Sequence, residues 1–165
     1  MENEQKSIHE TFMREALKEA KRAFDKGDVP VGAVAVYKNR VIAKGYNQVE
    51  LLHDPTAHAE MIAITQASAY LHETGGPEHR GSLEGVSFYT TLEPCPMCAG
   101  ALLLAHCAQL IFGAADPKFG ACGTLYNLHK DDRLNHQLKV TGGILEVDSK
   151  MLLQSFFKTL RKDKR

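Results

Sequence analysis

Apolar side chains recur at helical spacing near the start of the chain. Phe12, Ala16, Ala20 and Phe24 fall on one stripe, with Met13 and Leu17 beside it. Ser7-x-x-Glu10 has capping-box form, so the helix is expected to begin at Ser7. Gly27 supplies a stop, and Pro30 lies just beyond. The pattern then changes. Val31 to Tyr37 is an apolar, β-branched run that reads as a buried strand, and Val41 to Tyr46 reads as a second. Lys38-Asn39-Arg40 between them reads as the turn of a hairpin. A loop through His53-Asp54-Pro55 leads to a helix from about Ala57 to His72, with Met61, Ile62, Ile64 and Ala69 toward a core.

Glu73 to Gly85 holds four glycines and a proline and reads as a surface loop. Val86 to Thr91 is expected as the third strand. Pro96 suits a first helical turn, and that helix should run to about His106. Gln109 to Gly113 is expected as the fourth strand. Asp116 to Gly123 is a glycine-bearing loop, ending near a short element at Leu125 to His129. Lys139-Val140 and Ile144 to Val147 carry weak strand signals, and Ser149 to Arg161 is a final amphipathic helix with a basic tail. Strands alternating with helices after a hairpin imply an α/β fold, a mixed sheet with helices on both faces. There is no internal repeat, low-complexity segment or linker. Residues 1–165 therefore read as a single domain, with 1–6 and 162–165 as flexible tails.

Composition narrows the class. A chain of 165 residues with 44% hydrophobic and 24% charged positions is an ordinary globule. Lysine plus arginine equals aspartate plus glutamate, 20 each, so net charge argues neither for nor against nucleic acid. A polyanion site would have to be a local basic patch. The polar start, Met1 to Lys6, lacks a signal core. The longest apolar run, Ala99 to Ala105, falls far short of the ~20 residues of a membrane helix. No membrane partner is expected. With no secretion signal, Cys95, Cys98, Cys107 and Cys122 are read as reduced thiols of a cytoplasmic protein.

The chemistry lies in two short stretches. Pro55-Thr56-Ala57-His58-Ala59-Glu60 contains His-x-Glu, and Glu93-Pro94-Cys95-Pro96-Met97-Cys98 contains Pro-Cys-x-x-Cys. Together they offer His58, Cys95 and Cys98 as three metal ligands and leave one carboxylate, Glu60, free. Three protein ligands leave the fourth tetrahedral position of zinc open, which marks a catalytic rather than a structural site. Both cysteine and histidine stretches open predicted helices, whose positive dipole ends favour thiolates. Glu60 is then placed to carry protons, as the catalytic residue. Glu93 precedes a proline, which biases its backbone to an extended form, and it reads as structural or as a support behind the metal ligands, not as catalytic. Taken alone, a histidine at a helix start is usually a cap, and a Cys-x-x-Cys serves redox or structural zinc equally well.

These motifs resemble the cytidine-deaminase-like superfamily of zinc deaminases. Further stretches narrow the resemblance: Asp28-Val29-Pro30-Val31-Gly32-Ala33-Val34, Asp54 to Glu60, Phe112 to Lys118, Leu134-Asn135-His136 and Phe156-Phe157-Lys158 look like the bacterial tRNA-specific adenosine deaminases. The likeness runs from about Phe12 to Arg161. It implies a three-layer α/β/α sandwich around a mixed five-stranded sheet. It also implies one Zn²⁺ per subunit, a homodimer, and hydrolysis of adenosine to inosine at the wobble position of a tRNA anticodon stem-loop, water attacking C6 while Glu60 shuttles protons. By position, Asn47 would hydrogen-bond the adenine, while Pro30, Val31 and Ala57 would wall the base. Asp116, Lys118, Phe156 and Phe157 would approach flanking nucleotides. Lys158, Arg161, Lys162, Lys164 and Arg165 would hold phosphates.

The chain departs from the pattern in two places. Glu73 to Gly85 is longer than in compact members, and Ala115 stands where some carry arginine. A free-base deaminase acting on guanine or cytosine would share the zinc machinery but has no use for the Asp116-Pro117-Lys118 loop or the basic terminal helix. A catalytically silent RNA-binding subunit would be expected to lack the shuttle carboxylate, and Glu60 is present.

Overall fold

Alternation along β1 (Gly32–Tyr37) builds two cores at once. Ala33 and Ala35 face one side of the sheet, with Phe88, Leu110 and Phe112. Val34 and Val36 face the other, with Met13, Tyr89 and Ile111. A strand buried on both faces must be apolar at every position, which is why β1 reads as an unbroken run rather than an alternating one. This computed structural model describes residues 1–75 and 79–164.

The elements follow in the order α1 (Glu2–Asp25), β1, β2 (Arg40–Tyr46), α2 (Val49–Leu52), α3 (Ala59–Gly75), β3 (Ser87–Leu92), α4 (Pro96–Leu104), β4 (Gln109–Ala114), β5 (Lys139–Thr141) and α5 (Glu146–Asp163). The strands lie in the order β2-β1-β3-β4-β5. β1 pairs antiparallel with β2 and β3, while β3–β4 and β4–β5 are parallel. α1 and α5 pack against one face of the sheet, α3 and α4 against the other. This is the expected three-layer sandwich with a mixed five-stranded sheet.

The hairpin turn is Lys38–Asn39, with φ of 48° and 59°. Two consecutive left-handed residues make the tight turn whose twist matches the flanking strands. Gly45 lets α3 sit directly on β2, because a Cβ there would lie 2.3 Å from the Ala59 carbonyl oxygen.

Besides shifts of one to three residues at other ends, four features differ from the sequence reading. α1 begins at Glu2, not Ser7; Glu2 and Glu4 favour the positive helix end, and the Ser7 carbonyl accepts from Thr11 Oγ1 inside the helix. Residues Ile144 to Val147 are not a strand. Gly143 and Leu145 have φ of 86° and 53°, which breaks extension, and Glu146 opens α5. α3 continues to Gly75, three positions into the expected loop, whose Gly76, Pro77 and Glu78 lie outside the described residues, as does Arg165 of the basic tail. The short helix α2 was not foreseen. Its first-turn N–H groups, Glu50 and Leu51, donate to Asp28 Oδ2 at 2.9 and 3.4 Å, a cap supplied from far away in sequence.

Candidate active site

Strand register brings the site together. β1 pairs Gly32 with Tyr46 and Ala33 with Thr90, so Val31 and Asn47 stand at the end of the sheet where β3 leads into Cys95. Parallel pairing of Leu92 with Ala114 brings Asp116 to the same end. A cavity of about 520 Å³ opens there, the size of a small-molecule site. Asn47, Val31, His58, Glu60, Cys95 and Asp116 line it.

His58 immediately precedes α3, and Cys95 and Cys98 straddle the start of α4. His58 Nδ1 lies 3.6 Å from Cys95 Sγ and 3.5 Å from Cys98 Sγ. The three donor atoms lie within 4.8 Å of one another. Zinc bonds of about 2.3 Å to sulfur and 2.0–2.1 Å to nitrogen, at tetrahedral angles, place sulfur and nitrogen about 3.5 Å apart. The donor set therefore fits zinc.

Proton affinities in the cluster are strongly divided. The Cys95 thiol is held down at about 4, first by the hydrogen bond from Cys98 and further by His58, against burial. The Cys98 thiol is pushed up, because it donates that bond and is buried. His58 is raised by its hydrogen bond with Cys95. Electron pairs that converge on shared protons in this way are the same pairs that hold a cation.

Glu60 is 4% exposed on the first turn of α3. Burial raises its carboxyl above the usual range. Thr90 Oγ1 lies 3.3 Å from Oε1, and Cys98 Sγ lies 3.5 Å from Oε2, an alternative acceptor for the one thiol proton that otherwise goes to Cys95. A buried carboxyl of raised proton affinity thus abuts the His58–Cys95–Cys98 cluster and lines the pocket.

The neighbouring loop is built around Glu93. This buried carboxylate accepts from the backbone N–H groups of Asp116, Cys122 and Thr124, and from the Thr124 hydroxyl. Gly120 makes room, since a Cβ there would sit 2.4 Å from Glu93 Oε2. Glu93 is structural, as its place before proline suggested.

The remaining expected site residues are placed differently. Pro30 and Ala57 are buried beside the pocket residues Val31 and His58 but do not line the cavity. Lys118 is exposed and outside it; its N–H donates to Asp116 Oδ1 at 2.9 Å, so Asp116 is committed to holding its own loop. Phe156 is 6% exposed and packs on Phe24 at 5.7 Å between ring centroids. It belongs to the α1–α5 contact, and its neighbour Phe157, 45% exposed, is the aromatic that solvent reaches. Arg161 lies exposed in the last turn of α5.

Sequence reasoning gave no role to the wall residues Asp28, Glu50 and Phe119, nor to the apolar Val49, Leu92 and Met97. Phe119 is 62% exposed at the pocket. An aromatic inside a glycine-bearing polar loop was the available signal. Asp28 had none, because its partners lie far along the chain. Among the described residues no helix is long and apolar enough to cross a membrane.

Comparison with known proteins agrees with this geometry. The profile of the family described as the cytidine and deoxycytidylate deaminase zinc-binding region matches residues 6–114. The tRNA-specific adenosine deaminase of Bacillus subtilis (strain 168) is 46% identical over 156 residues, covering 94% of this chain and 92% of the relative. That of Aquifex aeolicus (strain VF5) is 47% identical over 152 residues, 92% and 95% of the two chains. A solved structure from studies of A-to-I editing by tRNA:A34 deaminases at the wobble position of transfer RNA superposes with a TM-score of 0.77. It is 38% identical and is matched over 87% of this chain and 99% of that one. The chain belongs to the cytidine and deoxycytidylate deaminase zinc-binding family, and within it to the tRNA-specific adenosine deaminases.

Proposed function

We propose that this chain, as one deaminase domain over residues 1–165, hydrolyses adenosine to inosine at the wobble position of a tRNA anticodon loop. The observation that carries the reading is the buried Glu60 carboxyl set against the His58–Cys95–Cys98 cluster at the floor of an accessible pocket. Zinc held by those three side chains supplies Lewis acidity, which makes a water nucleophilic at neutral pH. The protein's own groups do the rest. Glu60 accepts the proton of the attacking water, passes it to a ring nitrogen as the C6–O bond forms, and then delivers a proton to the departing amine. Adenosine and water become inosine and ammonia. Thr90 holds the carboxyl in place through its hydroxyl. Val31 supplies an apolar wall, and Asn47 a hydrogen-bonding one.

The substrate is supported by the names of the relatives at 46% and 47% identity and by the physics of base access. A base in a single-stranded loop is cheaper to extrude than a paired one. Lys158, Arg161, Lys162 and Lys164, exposed on α5 and its end, suit phosphate contacts. A homodimer and a cytoplasmic location belong to the same reading. Leu104, 85% exposed at the end of α4, is the kind of side chain a second copy covers, and all four cysteines are free, as a reducing compartment keeps them.

The test is inosine formation by zinc-loaded protein on an anticodon stem-loop with adenosine at the wobble position, with free guanine assayed beside it. Inosine without guanine turnover is expected. Guanine turnover without inosine would overturn the tRNA reading and leave the zinc chemistry.

A further inference from the structure

Phe119 stands in solvent on the loop after β4, 62% exposed, yet it lines the catalytic pocket. Among the described residues no aromatic ring or cation packs on its face. A single exposed apolar side chain is ordinary. The backbone that carries this one is held on both sides. Asp116 Oδ1 accepts from the N–H groups of Lys118 and Phe119 at 2.9 and 3.2 Å, and the Gly120 N–H donates to the Asp116 carbonyl at 3.0 Å. The Asp116 N–H donates in turn to Glu93 Oε1 at 3.3 Å, and Glu93 Oε2 accepts from Cys122 and Thr124 beyond the turn. A ring displayed from a fixed turn loses little backbone freedom when something packs on it.

The occupant follows from the pocket behind it. Val31 and Leu92 line that pocket together with Glu60, so the base that reacts lies inside, past the exposed ring. Extruding a nucleotide strips it from its neighbours in the stack. A neighbouring base left at the mouth then shows a flat face to water. A phenyl ring is a partner for any such face, because every base has a π-surface. Lys118, exposed one residue earlier on the same turn, offers a cation to the phosphate that joins the two nucleotides.

We propose that Phe119 is a stacking platform for the base next to the wobble adenosine, taking the place of the neighbour that the adenine vacates. The proposal rests on the tRNA reading above. It adds a second nucleotide to the recognised substrate, read by its stacking surface and not by hydrogen bonds. Affinity then follows how well that second base stacks, so a purine there binds more tightly than a pyrimidine.

The experiment is a coupling cycle between the ring and the neighbouring base. Zinc-loaded Glu60→Gln protein, which does not turn over, is titrated with stem-loops carrying adenosine at the wobble position. The neighbour is intact, or abasic on the 5′ side, or abasic on the 3′ side. Against intact RNA, Phe119→Ala should bind about five- to hundredfold more weakly, the worth of one base–aromatic stack. Its zinc content should be unchanged, since the ring lies in solvent. Removing the base on one side should weaken the protein that keeps Phe119 by a similar factor and leave the Phe119→Ala protein unaffected. Phe119→Trp should restore both affinity and coupling.

A loss in Phe119→Ala that is the same with and without either neighbouring base would overturn the proposal, because a ring that only shapes the loop weakens every RNA alike. Equal coupling to both sides would overturn it too, since one exposed ring face takes one base. A change from dimer to monomer in Phe119→Ala, read by sedimentation velocity, would assign the ring to a second copy of the chain instead. Inosine formed by the unmutated enzyme without any coupling sinks this proposal alone. No stem-loop bound and no inosine formed sinks the tRNA reading and the platform with it.

Discussion

Thr90 Oγ1 donates a hydrogen bond to Glu60 Oε1 across 3.3 Å, tying the central strand β3 to the first turn of α3. The same hydroxyl lies 3.2 Å from the Leu92 carbonyl oxygen; its one proton goes to Glu60 when that carboxyl is ionised, and to Leu92 when a protonated Glu60 donates to the hydroxyl instead. Thr90 is fully buried, and a buried hydroxyl with fixed partners is a rigid device for aiming a carboxyl.

Glu60→Ala is expected to lower kcat by a factor on the order of 10² to 10⁴, the usual share of general acid–base catalysis, while one zinc per chain is retained. Thr90→Val, which keeps shape and removes the hydroxyl, should lower kcat about five- to tenfold. Single-turnover kinetics with metal analysis check both. Near-normal turnover by Glu60→Ala would remove the shuttle role.

Cys95→Ser should bring zinc well below one per chain and abolish activity. Chelation of the wild-type protein should lower its melting temperature, because a ligand that binds only the folded chain stabilises it by mass action. Calorimetry with and without added zinc measures the difference. A melting temperature indifferent to the metal would contradict the site.

Glu93→Gln places an NH₂ among three backbone N–H donors and a hydroxyl. The expected cost is about 2–3 kcal/mol, the penalty for unsatisfied partners of a buried carboxylate. Urea unfolding gives the total. Limited proteolysis should show new cleavage between Asp116 and Thr124, and an unchanged digest would place the strain elsewhere.

Gly45→Ala and Gly100→Ala make a matched pair. At Gly45 the added methyl meets the Ala59 carbonyl at 2.3 Å, so α3 must lift, with a cost of about 1–3 kcal/mol and a loss of kcat as Glu60 moves. At Gly100, inside α4, the methyl meets nothing within 4 Å, so the change should stabilise by about 0.5–1 kcal/mol. Equal effects at the two positions would refute the close approach.

The His58–Cys95–Cys98 cluster was legible because a metal site imposes spacing on sequence. Cys-x-x-Cys and His-x-Glu are local patterns, and each stands where proline or polarity signals a helix start. Asp28 was illegible for the opposite reason. Its four bonds are tertiary, and an aspartate before an apolar strand looks like any surface turn. Phe156 and Phe157 show a third case. Sequence identified an aromatic pair on a helix, but which ring faces inward depends on how α5 meets Phe24 of α1. Ile144 to Val147 misled because β-branched content outweighed the preceding Gly142-Gly143, which ends the extended chain. The fold's layers were readable from the change of period along the chain. The order of strands within the sheet follows from pairing, which no local window contains.

The cluster joins His58 to Cys95, residues 37 apart, across the entry of β3 into the middle of the sheet. During synthesis the histidine and the glutamate emerge well before either thiol. A nascent chain that stops short of β3 carries both residues yet has neither sulfur ligand and no central strand for the hairpin to pair with. Capture of the metal therefore reports that the ribosome has passed Cys98 and that β3 has been inserted beside β1.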